Sequence, residues 1–374
     1  MKAEDFIKAI GASFYTGVPD SLLKPLCNYL IKMYGNNNNH HVIAANEGNA
    51  TALAAGYYLS TGKAAVVYMQ NSGEGNMVNP VASLLSDKVY AIPMIFVIGW
   101  RGEPGIKDEP QHVFQSMITL KLLEDLNINY FVIRKETAIK ELQIAMGNFQ
   151  KDLSVGKQVA FVICKNALSY DEGIVYSNSY EIIREEAIKH IVAISGEDPI
   201  ISTTGKISRE LFSVREMNNH SHKYDFLTVG SMGHCSSIAL GIAMQLKDKR
   251  IWCIDGDGSL LMHMGSLAVI GNNNPENFIH IVINNEAHES VGGMPTSANV
   301  VDLSSIAKAC NYQYVASVES LKNLDEELLY IRDHRQLSFL EIKTAIGSRD
   351  DLGRPKTSPL NNKSDFMKFL VSGD

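Results

Sequence analysis

No apolar run in this 374-residue sequence approaches the roughly 18 residues needed to span a bilayer, so a soluble chain with no membrane partner is expected. Its first residues, MKAEDFIKAIGASFYTG, lack a basic segment followed by a long apolar one, and no secretory signal is expected. Cysteine is scarce: Cys27, Cys164, Cys235, Cys253 and Cys310 form no CxxC pair and no metal-ligand spacing, which suits reduced core thiols in a cytoplasm. Positive charge is also in deficit. With 34 Lys and Arg against 41 Asp and Glu, the formal net charge of −7 disfavours nonspecific binding to nucleic acid and to anionic membrane surfaces. A phosphorylated ligand will need a local cation. Short repeats of the solenoid kind are absent, and the Asn36–Asn39 tract is too short for a low-complexity domain and reads as a solvated loop.

What is present is an ordinary globular composition, 45% hydrophobic and 20% charged, in a chain at least twice the usual domain length of roughly 100–200 residues. Apolar strand-like runs recur, each followed by a segment of helical period, which is the pattern of α/β domains with parallel sheets. In the first half they are Ser13–Thr16, His41–Ala45, Ala64–Met69, Pro93–Ile98, Tyr130–Ile133 and Val159–Cys164. The pattern lapses over KNALSYDEGIVYSNS, Lys165–Ser179, and then restarts at Pro199–Ser202, Phe226–Val229, Ile251–Ile254, Phe278–Ile283, Tyr312–Ala316 and Leu337–Ile342. The expected fold is therefore two doubly wound parallel-sheet domains, residues 1–170 and 181–374, joined by a linker over 171–180.

In such sheets ligands sit at the carboxyl ends of strands, so the residues just after each apolar run matter most. The run Ile251–Ile254 ends in Asp255-Gly256-Asp257-Gly258-Ser259, and the run ending at Ile283 continues as Asn284-Asn285. Residues 259–283 lie between, 25 in all, enough for one crossover helix and one strand. That spacing puts Asp257 and Asn285 on neighbouring strand tips. A carboxylate, an amide oxygen and a backbone carbonyl are hard donors of the type that holds Mg²⁺ with phosphate oxygens and water in its other positions. Gly256 and Gly258 allow close approach of the backbone to a diphosphate, and a helix N-terminus after Ser259 adds N–H groups. Taken alone, GDGS is equally a tight strand-to-helix turn. An EF-hand is excluded by the missing acidic positions after Asp255, and a Walker loop by Ile200 and Ile207 flanking Thr204-Gly205-Lys206.

GDGS with NN at this spacing resembles the diphosphate-binding signature of thiamine diphosphate enzymes. Such enzymes bind the aminopyrimidine ring on a second α/β domain with a glutamate after its second strand, and Asn46-Glu47-Gly48-Asn49-Ala50 after HVIAA resembles that segment. Read without the resemblance, Asn46 caps a helix and Glu47 favours its positive end. The Asn71–Asn76 loop, with Gly73, is similar to the glycine-bearing loop bordering the pyrimidine, and is also readable as a plain strand-to-helix turn. Over essentially the whole chain the resemblance is to single-chain phosphonopyruvate decarboxylases, with sulfopyruvate decarboxylases next. It is carried by Thr16–Ser21, Arg101–Gly105, Lys107–His112, Ser202–Lys206 and Gly230–His234. No length remains for a middle domain. Trp100-Arg101 stands where pyruvate decarboxylase relatives carry a histidine pair, so their proton-transfer assignments do not carry over.

The resemblance implies a lyase that decarboxylates 3-phosphonopyruvate with thiamine diphosphate and Mg²⁺, in phosphonate biosynthesis. It implies Glu47 as the acid–base partner of the pyrimidine, and Gly73, Gly230, Ser231 and Met232 around the ring, Met232 as an apolar prop or else ordinary packing. It places Thr204, Gly205, Gly256, Gly258 and Ser259 at the diphosphate, and Asp257, Asn285 and the Ala287 carbonyl at Mg²⁺. Asp20, Ser21, Arg101 and His112 lie on loops at the reacting end, where a guanidinium fork suits a phosphonate; each is also readable as a solvated loop residue. His40 and His41 read as loop residues, and Arg349 and Arg354 as surface salt-bridge partners or as cations that close over an anionic substrate. A homo-oligomer with the cofactor at the subunit interface is expected. The alternatives are a sulfopyruvate or other 2-oxo acid decarboxylase, and a noncatalytic thiamine diphosphate-binding regulatory subunit.

Overall fold

The computed structural model describes residues 1–36 and 38–372, so Asn37 of the asparagine tract lies outside the described residues. The chain divides into two compact units, Met1–Val175 and Tyr176–Asp374. The first holds β1 (Tyr15–Gly17), β2 (His41–Ile43), β3 (Ala65–Gln70), β4 (Met94–Gly99), β5 (Asn129–Ile133) and β6 (Gln158–Ile163) in one sheet of order β2-β1-β3-β4-β6-β5, every pairing parallel. The second holds β7 (Ile200–Ser202), β8 (Asp225–Leu227), β9 (Ile251–Gly256) and β10 (Phe278–Asn284). Next come a short antiparallel hairpin of β11 (Ala287–His288) and β12 (Met294–Pro295), then β13 (Tyr314–Val318) and β14 (Ser338–Lys343). With the hairpin set aside, this parallel sheet runs β8-β7-β9-β10-β14-β13, the same topology strand for strand as the first.

The strands form because helices cover both faces. β3, β4 and β6 are buried along nearly their whole length, as their runs AVVYMQ, MIFVIG and QVAFVI require, whereas the edge strands β5 and β13 are partly exposed. All twelve expected strands are present, with shifted ends. β13 starts two residues later than expected because Asn311 adopts a left-handed φ of 69° and turns Tyr312 into the core, where its hydroxyl meets His280 Nδ1 at 3.0 Å. His41 opens β2, as the expected run His41–Ala45 has it, and is buried and not the loop residue it also read as, its ring bridging the Gly35 carbonyl (2.7 Å) and the Tyr68 hydroxyl (2.8 Å). Among the described residues no helix is long and apolar enough to cross a membrane, and all five cysteines are free thiols.

In each sheet the chain reverses its direction of winding between the first and third strands, so the ligand crevices of this topology open at the tips of β1 and β3 and of β7 and β9. At the amino-terminal end of β7 and β8, the end of the second sheet away from its crevice, lies a buried ion pair. Arg215 reaches the Asp225 carboxylate through Nε (3.0 Å) and Nη2 (2.9 Å), with both side chains at most 1% exposed. Removing one partner leaves the other charged and buried, so Asp225→Ala should lower stability by about 3–5 kcal/mol in chemical denaturation. A loss below about 1 kcal/mol would mean that the pair behaves like an exposed one.

Candidate active site

In the first unit, Asn46 caps the helix Glu47–Thr61, its Oδ1 accepting from the Asn49 N–H at 2.8 Å. The expected helix cap is real, yet Glu47 does not lie at the helix end in solvent. Its side chain is buried, Oε2 accepts from Asn76 Nδ2 at 2.6 Å, and the carboxyl rests on Gly73, where any Cβ would overlap it. Burial pushes the Glu47 carboxyl above its ordinary value against the opposing pull of the Asn76 hydrogen bond. A carboxyl so held can keep a proton, or give it up, closer to neutrality than a surface glutamate can.

The other candidates of this unit cluster at the tips of β1 and β4. Asp20 is fully buried over Gly99; Oδ2 accepts from the N–H groups of Leu22 (3.0 Å) and Leu23 (3.3 Å), while Oδ1 has no partner. Burial raises it to about 6 despite the nearby Arg101. Arg101 does not present a free fork: Nε and Nη2 are engaged by Asp108 at 2.8 and 2.6 Å, and Nη1 donates to Ser21 Oγ at 3.0 Å. His112 is buried with an unpartnered Nδ1, and burial and Arg101 hold it below its ordinary value. Asn71 joins this cluster to the Gly73 turn, donating to the Arg101 carbonyl at 3.1 Å and accepting from its N–H at 3.2 Å.

In the second unit Ser259 ties together the loops after β7, β8 and β9, its hydroxyl accepting from Thr203 Oγ1 at 2.9 Å and from the Gly233 N–H at 3.0 Å. That brings Thr204 and Gly205 (φ 95°) to one edge with Gly230, Ser231 and the half-buried Met232. The helix after β9 begins at Asp257, two residues before the expected point, because Asp257 already takes helical backbone after the extended Gly256. A Cβ at Gly258 would lie within 3.2–3.3 Å of the His288 and Thr296 side chains, which would have to give way, whereas at Gly256 it would meet only ordinary contacts.

β9 and β10 are neighbours with Gly256 opposite Ile283, which sets Asp257 and Asn285 on adjacent tips. Asp257 is buried; Thr296 Oγ1 donates to its Oδ2 at 2.6 Å, and burial lifts the carboxyl to about 7. Asn285 donates through Nδ2 to Glu289 at 2.7 Å and accepts at Oδ1 from the Ala287 N–H at 3.2 Å, which together fix its amide. The hairpin bonds flanking Ala287 are accepted by Glu286 and His288, and Pro295 opposite it has no N–H to give. One carboxylate, one amide oxygen and one carbonyl are thus set out as hard donors around a buried carboxyl with no cation beside it, and they fit a divalent ion. The basic groups nearby are already balanced: Arg184 pairs with Glu210 and Glu289, and Lys206 with Glu289 at 2.6 Å.

Comparison with known proteins matches a stretch of each unit to a family domain. Residues 4–128 match the N-terminal TPP binding domain of thiamine pyrophosphate enzymes, and residues 203–342 match their C-terminal TPP binding domain. The chain belongs to the thiamine pyrophosphate enzyme family. It is 32% identical to a phosphonopyruvate decarboxylase of Streptomyces viridochromogenes, over 98% of this chain and 93% of the relative. It is 31% identical to that of Streptomyces hygroscopicus, over 98% and 92%. A sulfopyruvate decarboxylase of Methanosarcina acetivorans is 26% identical over 79% of each chain.

The groups of this thiamine pyrophosphate enzyme that sequence reasoning missed are those that hold the expected ones. Asn76 closes the Asn71–Asn76 loop, and its amide was the available signal. Thr296 and Glu289 act on Asp257 and Asn285 across turns that no local spacing predicts, and Asp108 occupies the Arg101 fork from seven residues away. The Gly73 seat gives a direct test. Gly73→Ala must displace the Glu47 carboxyl and should cost activity about 10²-fold, whereas Gly75→Ala, with nothing within 4 Å of its Cβ, should stay near wild type. Equal activities of the two variants would dissociate Glu47 from its seat.

Proposed function

We propose that the chain is a Mg²⁺- and thiamine diphosphate-dependent decarboxylase of 3-phosphonopyruvate, releasing CO₂ and phosphonoacetaldehyde. The observation that carries the reading is similarity at about one-third identity to phosphonopyruvate decarboxylases along nearly the full length of both chains. The thiamine ring supplies, when bound, an electron sink for the pair left by the departing carboxylate. Everything else falls to this chain. Glu47 holds and returns a proton at the pyrimidine N1′. Asp257, Asn285 and the Ala287 carbonyl hold Mg²⁺, which must neutralise the diphosphate because Arg184 and Lys206 are already spent on Glu210 and Glu289. Thr204, Gly205 and Ser259 line the diphosphate, and Gly73, Gly230, Ser231 and Met232 border the ring.

On the substrate side, Arg101 and Ser21 receive the phosphonate, with Asp20 and His112 as proton-bearing groups beside it. The Asp108 partner holds the guanidinium in one orientation, so its remaining donors are aimed before substrate arrives. The working unit is a homo-oligomer sharing each cofactor between subunits, in a cytoplasm that keeps the five thiols reduced. Sulfopyruvate is the second reading, motivated by the relative from Methanosarcina acetivorans. The presence of both Glu47 and the Asp257/Asn285 pair speaks against a noncatalytic regulatory subunit.

Product analysis on phosphonopyruvate, sulfopyruvate and pyruvate in parallel tests the substrate. Pyruvate leaves the cationic donors unpaired, so discrimination against it should reach roughly 10⁴. Arg101→Ala should narrow that ratio by depressing phosphonopyruvate turnover far more than pyruvate turnover. A wild-type preference for sulfopyruvate would overturn the assignment, and equal losses on both substrates would remove Arg101 from phosphonate recognition. Mixing inactive Glu47→Gln and Asp257→Ala chains should restore activity if sites are shared across subunits; a fully active monomer in sedimentation at assay concentration would contradict the oligomer.

A further inference from the structure

One buried carboxyl in the first unit has no part in the proposed reaction. Glu74 opens the helix Glu74–Pro80 immediately after the Gly73 seat, and its side chain is fully buried. Oε1 has no partner, and Oε2 accepts only from Gln115 Nε2, at 3.5 Å; the Thr119 hydroxyl is the other polar group beside the carboxyl. The Thr119 hydroxyl is the telling neighbour. Its single proton goes to the Gln115 carbonyl at 2.9 Å, and one lone pair takes the Asn71 amide at 3.0 Å. Only a lone pair is left for Glu74, so a hydrogen bond between them takes its proton from the carboxyl.

We propose that Glu74 works as a neutral carboxylic acid, a positioning residue whose O–H completes a relay through Thr119 and Asn71 to the backbone of Arg101. The relay has two ends of functional weight. Asn71 grips Arg101 by both its N–H and its carbonyl, and Gln115 Nε2 donates to the Asn71 carbonyl at 2.9 Å, so the loop that aims the guanidinium hangs on this turn. Gly73, between Asn71 and Glu74, is the seat of the Glu47 carboxyl. Loss of the acid proton would leave a bare carboxylate facing a lone pair, loosening Arg101 first.

The charged groups on the surrounding elements are Glu47 across Gly73, Arg101 and Asp108 beyond Asn71, and His112 at the start of the helix Pro110–Asp125. Among the described residues none of them hydrogen-bonds Glu74. Burial accordingly lifts this carboxyl to about 8. The folded chain therefore keeps a proton that the unfolded chain releases near its ordinary value of 4.5, so this group's contribution to stability declines as pH rises from there to about 8.

Glu74→Gln supplies a neutral N–H donor at every pH and separates this role from simple packing. Infrared spectra at neutral pH should show a protonated carboxylic-acid C=O band in wild type that Glu74→Gln lacks. The melting temperature of Glu74→Gln relative to wild type should climb between about pH 4.5 and about pH 8 and level off above. In kinetics, the wild-type KM for the anionic 2-oxo acid should rise above about pH 8 while that of Glu74→Gln stays flat. Glu74→Ala, which leaves the Thr119 lone pair unmet, should lose at least about tenfold in kcat/KM at neutral pH. The kinetic arm rests on the reading of Arg101 as the phosphonate donor; the infrared and melting arms need no substrate and decide on Glu74 even if that reading falls. No acid band, a melting difference independent of pH, or a Glu74→Gln enzyme as impaired as Glu74→Ala with an unchanged pH profile would each overturn the proposal.

Discussion

The chemistry of this fold depends on carboxyl groups buried at strand tips with little to neutralise them. Burial favours the protonated form, and the groups concerned, Glu47, Asp257 and, despite the nearby Arg101, Asp20, are all lifted by it. The geometry that permits such burial is a glycine under the carboxyl, Gly73 beneath Glu47 and Gly99 beneath Asp20, where a larger residue would push the group out. A surface glutamate at the same helix start would favour the positive helix end and do no more.

The two units share one sheet topology and differ in the residues set at the strand tips. Beyond the first sheet lie proton-bearing groups and the Arg101–Asp108 pair. Beyond the second lie small residues, hydroxyls and hard oxygen donors, with a salt-bridge network whose two cations face two carboxylates. Under the proposed function this acidic chain takes its anionic cofactor together with a counter-ion, for which the Asp257, Asn285 and Ala287 oxygens are the proposed donors.

Much of this was legible in the sequence because it is encoded locally. Buried parallel strands read as continuous apolar runs, and the residues after them fall at the ligand edge, so Asp257 and Asn285 could be named from position, whereas Glu47 was singled out by the family resemblance of its segment. Strand ends were less legible: β13 is displaced by the left-handed Asn311, which apolar periodicity does not reveal. The second layer was not legible at all. Thr296 on Asp257, Glu289 on Asn285 and Thr119 beside Glu74 are contacts across turns and between helices, set by the tertiary fold and by no spacing in the chain. The Arg101 fork illustrates the gap, since its residue type suggested a free anion site and the structure gives it a resident partner in Asp108.

The central claim is that the buried Glu47 carboxyl drives proton transfer on the bound cofactor. The most direct measurement is hydrogen–deuterium exchange at the thiazolium C2 of thiamine diphosphate bound to wild type and to Glu47→Gln, with cofactor affinity measured alongside. The account predicts that affinity is largely kept while exchange slows by at least about 10²-fold. Near-normal exchange in Glu47→Gln with the cofactor fully bound would contradict it.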